Sequence, residues 1–330
     1  MFSIIIPVYN RPDEVEELLE SLAGQTFQDE FEIVIIEDGS TLPCADIVEK
    51  HSKKLNINYI TKPNTGRSDS RNVGMKMTKG DYFIFFDSDC IIPSGYLQTV
   101  DSQLKTDYSD CFGGPDSEHP SFTVMQKAVN YAMTSFWTTG GIRGGKVNLE
   151  KFKPRTFNMG FSREVYNKVG GFNDMYGEDI DLSIRIQRAG FTVKLYRDAF
   201  VWHKRRVNIK RFYRQVNIFG QARVNLYKLY PESLKAVHAL PAVCVTGLTI
   251  VIILAFAVSR LWLLLPAAYI LLLFCDALLK TKSLKISALA VLTSAIQIVG
   301  YGLGFIKSFI FKILLRQGLE NAETLKRKYK

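Results

Sequence analysis

The chain has 330 residues and five cysteines, but no CxxC pair. Cys44, Cys90, Cys111, Cys244 and Cys275 are scattered. An odd set without metal-ligand spacing reads as free thiols in a reducing compartment. A secretory leader is not in view: Met1 leads straight into a short apolar run that stops at Pro7, too short for a secretory core. Neither GxGxxG nor GxxxxGK[ST] occurs, which argues against a Rossmann dehydrogenase and a P-loop ATPase. Acids are nearly missing between Lys204 and Lys235, where Glu232 stands alone among nine basic residues. Over the whole chain 42 basic residues face 32 acidic ones, a net charge of +10. Such a surplus suits an anionic partner: nucleic acid, acidic lipid or a phosphorylated substrate.

What the chain does have centres on Asp81-Tyr82-Phe83-Ile84-Phe85-Phe86-Asp87-Ser88-Asp89-Cys90. The unbroken apolar run over residues 82–86 reads as a buried strand. It opens into two carboxylates one residue apart, Asp87 and Asp89. At the C-terminal end of a strand in an α/β sheet, such a pair can hold a hard divalent cation shared with substrate phosphates. A polar turn is the plain alternative.

Strands are expected over residues 2–6, 31–36, 57–60 and 82–86. Helices are expected over 13–22 and 45–54, and after the turn 64–68, with Ser68 as N-cap and Gly80 as terminator. This alternation predicts an α/β domain with a mostly parallel sheet. Three strand ends then gather on one edge. They bring Pro7, Tyr9 and Asn10 together with Glu37 and Asp38, and with Asp87 and Asp89. Arg71, from the helix before the fourth strand, reaches the same edge. Carboxylates, a metal and an arginine beside helix N-termini fit a nucleotide diphosphate. Taken alone, Glu37 and Asp38 also read as a helix-capping acidic turn.

Several motifs occur in one order: Ile4-Ile5-Ile6-Pro7-Val8-Tyr9-Asn10, Glu37-Asp38-Gly39-Ser40, Gly66-x4-Arg71-Asn72-x-Gly74, Gly80-Asp81-Tyr82 and Phe86-Asp87-Ser88-Asp89. The ordered set resembles the donor-binding half of family 2 glycosyltransferases, which have the GT-A fold. The resemblance implies an inverting transferase using a nucleotide-diphospho-sugar and a divalent metal, Mn or Mg. It implies that Pro7, Tyr9, Asn10 and Asp38 hold base and ribose, that Arg71 lies near the nucleotide, and that Asp87 and Asp89 meet metal and diphosphate. Glu37 stands where the family more often has Asp, which leaves the base open.

Farther on, Val169-Gly170-Gly171-Phe172 precedes Gly177-Glu178-Asp179-Ile180-Asp181. Three acids in a first helical turn suit the helix dipole. One of them can instead take the proton of an acceptor hydroxyl. The resemblance matches the catalytic base to Asp179, with Glu178 assisting, and Asp181 reads as structural. His203 ends an apolar run, and the resemblance offers it as a metal or diphosphate ligand. Residues 140–145 hold four glycines and read either as a loop over the active site or as a poorly ordered insertion.

The basic stretch carries Phe212, Tyr213, Val216, Phe219, Val224 and Tyr227 at helical spacing. A basic amphipathic helix suits an anionic membrane surface; nucleic-acid binding is the rival reading. Three apolar segments then follow, 240–259, 261–279 and 286–306, each about 20 residues long and able to cross a hydrocarbon core of ~30 Å. They favour the membrane over nucleic acid. The Gln-x-x-Arg-Trp of processive family members is absent, so processive polymerisation is not supported.

The expected organisation is a catalytic domain over 1–230, with a donor half at 1–115 and an acceptor half at 116–230. A membrane region at 239–315 and a basic tail at 316–330 follow. The positive-inside rule puts the catalytic domain and the Lys280–Lys285 loop in the cytoplasm, at a plasma (inner) membrane. The basic tail conflicts with a third crossing. Gly300, Gly302 and Gly304 are expected to break the third segment, which leaves three crossings or an interfacial third segment open. The acceptor is expected to be a lipid-linked or other glycan. A nucleotidyltransferase, or a non-catalytic membrane protein with a degenerate nucleotide site, are the alternatives.

Overall fold

A computed structural model describes residues 1–140, 152–204 and 208–316. In chain order the elements are β1 (Phe2–Val8), α1 (Pro12–Ala23), β2 (Phe31–Asp38), α2 (Ala45–His51), β3 (Ile57–Lys62), α3 (Arg67–Met77), β4 (Tyr82–Phe85), β5 (Cys90–Ile91), α4 (Tyr96–Thr106), β6 (Cys111–Gly113) and β7 (Asp116–Ser117). Then come α5 (Val124–Thr134), α6 (Phe136–Thr139), β8 (Met159–Ser162), α7 (Arg163–Val169), α8 (Glu178–Arg188), β9 (Val193–Leu195) and β10 (Val201–His203). The last four are α9 (Ile209–Leu229), α10 (Ala236–Ala257), α11 (Leu264–Thr281) and α12 (Leu284–Phe309).

The chain divides into two compact units. The first holds Met1–His119 and Phe152–Lys204, the second Pro120–Lys151 and Arg205–Lys330. This boundary departs from the one read from the sequence. Helix α5 and the basic helix pack with the apolar helices, because their buried side chains find partners there.

In the first unit seven strands form one sheet in the order β3-β2-β1-β4-β8-β6-β9. The β3, β2, β1 and β4 pairings are all parallel, and β8 runs antiparallel between β4 and β6. Ile4, Ile5 and Ile6 are fully buried, with Ile4 and Ile6 packing on one face and Ile5 on the other. A strand covered on both faces has to be continuously apolar, and that is why β1 shows no alternation. Gly74 of α3 lies so close that a Cβ there would stand 2.5 Å from Ile5 Cγ2. A small second sheet, β5-β10-β7, pairs His203 with Cys90.

Two local expectations are corrected. β2 runs through Glu37 and Asp38, so both acids sit on the strand and not in a loop after it. The N-cap of α3 is Gly66, at φ +102°, and Ser68 lies inside the helix, buried. Asp38 instead braces the turn that leads into the helix: its carboxylate accepts Thr65 N–H and Gly66 N–H, both at 2.9 Å. The same helix ends at Met77 with Thr78 as C-cap, before Gly80.

In the second unit α9 lays Phe212, Val216 and Val224 inward, all buried. Phe212 and Val216 pack with Val129, Ala132 and Met133 of α5, and Val224 with Ala242 and Phe305. These three residues of the face expected on a membrane surface are therefore covered by protein, whereas Tyr213 is exposed. Gly300, Gly302 and Gly304 do not break α12, which runs unbroken from Leu284 to Phe309. They let it pack closely: a Cβ at Gly300 would lie 2.6 Å from Val216 Cγ2, and one at Gly304 2.1 Å from the Asn217 carbonyl. Glycine inside a helix weakens it alone but allows near-contact of backbones, the small-residue packing of apolar helices. Among the described residues, three helices are long and apolar enough to cross a membrane: Ala236–Ala257, Arg260–Thr281 and Leu284–Leu314. The glycine-rich loop over 140–145, beyond Gly140, lies outside the described residues, as do Arg205, Arg206 and the basic tail beyond Arg316.

Candidate active site

The parallel order β2-β1-β4 sets three strand C-termini side by side, and Val8 pairs in register with Glu37. Pro7 sits on β1 and Tyr9 just beyond it, half-exposed. Asn10 turns back at φ +53°. Its Oδ1 accepts Thr41 N–H at 2.8 Å and Leu42 N–H at 2.9 Å, which ties the first loop to the one after β2. The Asn10 N–H donates to Ser40 Oγ at 2.7 Å.

Glu37 and Asp38 are both buried, with carboxylates engaged inside the fold. Glu37 accepts hydrogen bonds from Ser40 Oγ, from Cys44 N–H at 2.9 Å and from Tyr59 Oη at 3.0 Å. It therefore holds the entry to α2. Burial, and next the Glu37 carboxylate, push the Cys44 thiol up to about 12. Asp38 also binds Lys62 Nζ. Both acids shape the two loops that border the strand ends.

The centre is a buried network of charge. Arg71 is 1 % exposed; its Nη2 donates to Asp87 Oδ1 at 2.7 Å and its Nη1 to Glu178 Oε1 at 3.1 Å. Arg67, one turn earlier on α3, gives Nη2 to Glu178 Oε2 at 3.0 Å. Glu178 is itself buried. One arginine thus joins the Asp87 carboxylate to the first residue of α8. Asp179, the next residue, is 17 % exposed and faces Arg155 Nη1 at 3.6 Å. Asp181 turns away to Arg185 at 2.9 Å and Asn173 at 2.9 Å.

Asp89 lies on the other side of Ser88. Its Oδ1 is 3.1 Å from His203 Nε2, and His203 Nδ1 is 3.8 Å from the buried Asp116. Phe157 stacks on the imidazole at 4.7 Å. Among the described residues, Asp89, Cys90 and His203 bring ligand atoms within 4.8 Å of one another. Cys90 does not suit a hard cation: burial, then Asp89 and Asp87, raise its thiol well above the usual range, and Sγ donates to the Phe157 carbonyl. That leaves carboxylate oxygen and imidazole, a donor set that accepts Mn or Mg.

The fold therefore links Asp87, Arg71 and Glu178 by ion pairs, sets Asp179 beside Glu178 and facing Arg155, and joins Asp89 to His203. Pro7, Tyr9, Asn10, Glu37 and Asp38 lie at or beside the neighbouring strand ends. Arg67, Asp116 and Arg155 were not picked out in the sequence. Arg67 had a signal, since it stands four residues before Arg71 on one helix face. Asp116 and Arg155 had none, because both reach the site through distant pairings.

This is an α/β nucleotide-binding fold with an acidic, arginine-bridged edge. A family model described as "Glycosyl transferase family 2" matches residues 3–170, and one described as "Glycosyl transferase family group 2" matches 152–275. The chain belongs to glycosyl transferase family 2. It is 38 % identical over 112 residues to a poly(ribitol-phosphate) beta-N-acetylglucosaminyltransferase of Staphylococcus aureus, covering 33 % of this chain and 20 % of that one. It is 24 % identical over 229 residues to a validoxylamine A glucosyltransferase of Streptomyces hygroscopicus, covering 61 % and 54 %. The chain thus spans about half or less of these relatives. Its fold is that of a mannosyltransferase from Pyrobaculum calidifontis solved with GDP-Man and Mn2+, at TM-score 0.64 and 18 % identity over 89 % of this chain and 86 % of the other. That likeness carries the GT-A fold.

Proposed function

We propose that the chain transfers a sugar, with inversion, from a nucleotide-diphospho-sugar to a lipid-linked or membrane-proximal glycan. The observation that carries this reading is the Arg71 bridge between Asp87 and Glu178, the neighbour of Asp179. It couples a donor-side carboxylate to the helix that bears the base. Asp179 takes the proton of the acceptor hydroxyl as that oxygen attacks the anomeric carbon, and the bond from that carbon to the diphosphate breaks. Arg71 faces the charge left on the nucleoside diphosphate. Pro7, Tyr9, Asn10 and the loops set by Glu37 and Asp38 border the base and ribose. Asp87, Asp89 and His203 would hold a divalent cation, which when bound neutralises diphosphate charge. Glu178 acts as a positioning residue for Asp179.

The apolar helices anchor the chain in a plasma (inner) membrane, with the catalytic unit cytoplasmic, for cell-surface polysaccharide or glycolipid synthesis. The deciding experiment presents a panel of nucleotide-sugars in detergent with Mn2+ or Mg2+, then with a chelator, using lipid-linked and soluble acceptors. Metal-dependent release of one nucleoside diphosphate, with transfer to the lipid-linked acceptor, is expected. Release of pyrophosphate would mean nucleotidyl transfer. No turnover and no donor binding across the panel would mean a non-catalytic domain.

A further inference from the structure

Of the three apolar helices, α12 differs from the other two. Half of its apolar window is buried, against 11 % for each of the others. Its contacts say where it runs. Gly302 meets α10 at Pro241, where an added Cβ would stand 2.6 Å from the Pro241 carbonyl. Phe305 packs beside Ala242. Twelve residues earlier than Gly302, Ala290 packs with Ala277 of α11.

Pro241 is near the start of α10 and Ala277 near the end of α11. The far ends of these helices are joined through the short turn at Val258, Ser259 and Arg260–Leu263. At 1.5 Å per residue, Pro241 to the end of α10 measures roughly 24 Å, and the start of α11 to Ala277 roughly 20 Å. From Ala290 to Gly302 along α12 is roughly 18 Å. These three lengths make a triangle, with the turn as apex and α12 as base. Had α12 run back along the hairpin, Gly302, roughly 27 Å from Leu284, would lie beside the apex. It lies instead near the open end.

We infer that α10 and α11 alone cross the bilayer, and that α12 lies along the cytoplasmic lipid–water boundary. This rests on the membrane reading above. The faces of α12 agree with it. Leu292 and Leu303 are exposed, as are Ile310 and Leu314 just past its end, whereas Ser287, Thr293, Ser294 and Gln297 are buried against the protein. An apolar stripe turned outward and polar groups turned inward suit a helix bedded in acyl chains on one side and in protein on the other. The inference removes the charge conflict found in the sequence: with two crossings, the basic C-terminal residues stay on the same side as the Lys280–Lys285 loop.

The test is labelling of single cysteines in the full chain with a membrane-impermeant maleimide, on intact cells and on inverted membrane vesicles. Cys244 and Cys275, both exposed, are first replaced by serine. Lys53→Cys reports the catalytic side, Arg260→Cys the apex and Arg316→Cys the end of the described chain. Labelling of Arg260→Cys from outside, with Lys53→Cys and Arg316→Cys labelled only in inverted vesicles, is expected. Labelling of Arg316→Cys from outside would mean three crossings; it would overturn the inference and leave the anchor standing. If Arg260→Cys is labelled only in inverted vesicles, or carbonate washing strips the protein from membranes, the anchor itself falls and the inference with it.

Discussion

Replacing Glu178 by glutamine separates a positioning role from a chemical one. The carboxylate accepts from Arg67 Nη2 at 3.0 Å and from Arg71 Nη1 at 3.1 Å. Glutamine keeps an oxygen but removes the charge. Arg71 is 1 % exposed and would retain Asp87 alone. Breaking a buried ion pair outright costs about 3–5 kcal/mol, because a charge is left uncompensated. Asp87 still answers Arg71, and Arg67 is half-exposed, so about 2 kcal/mol is the expected loss. For a unit of this size that lowers the melting temperature by about 4–8 °C. Asp179→Asn touches a group with one arginine at 3.6 Å and should leave stability within about 1 kcal/mol. Its transfer rate should fall by about 10²–10⁴. Thermal unfolding and steady-state transfer, measured on both variants, read the two effects apart. The reasoning is refuted if Glu178→Gln melts with the wild type yet loses transfer as Asp179→Asn does. It is equally refuted if Asp179→Asn turns over normally.

Further outcomes follow from the same geometry. Asp89→Asn and His203→Ala should each weaken Mn2+ binding about 10-fold or more, read by calorimetry in the presence of nucleoside diphosphate; unchanged binding would remove both from the metal site. The Cys44 thiol, pushed up to about 12 by burial, stays neutral in the folded chain after the unfolded thiol has begun to ionise. Its contribution to stability is therefore full below pH ~8.5 and is lost above it, by at most about 1.4 kcal/mol per pH unit. Cys44→Ala should flatten that part of the unfolding curve against pH, and an unchanged slope would dismiss the thiol as its source. Gly304→Leu places atoms where the Asn217 carbonyl lies and should destabilise the packing of α9 on α12 by about 1–3 kcal/mol, read as a lower melting temperature in detergent.

Much of the fold was legible because its signals are local. A strand covered on both faces must be apolar throughout, so β1, β2 and β4 stand out as runs of Ile, Val and Phe, and the alternation with helices follows from spacing. The length and hydropathy of the last helices are likewise properties of the chain alone. The acids at the strand ends were visible as Asp87 and Asp89, and the helix that opens with Glu178 and Asp179 by its cluster of charge. The partners of these groups were not visible. Arg71 reaches Glu178 across more than one hundred residues, and Asp116 and Arg155 meet His203 and Asp179 only through strand pairing and loop closure. Whether Glu37 and Asp38 face a ligand or brace their own loops depended on which amides came within 3 Å of them. The three glycines of α12 were misread for the same reason. Alone, glycine weakens a helix; against α9 and α10 it is what lets the backbones meet. Composition fixes which segments seek burial, but the choice of partner depends on distances that only the assembled chain defines.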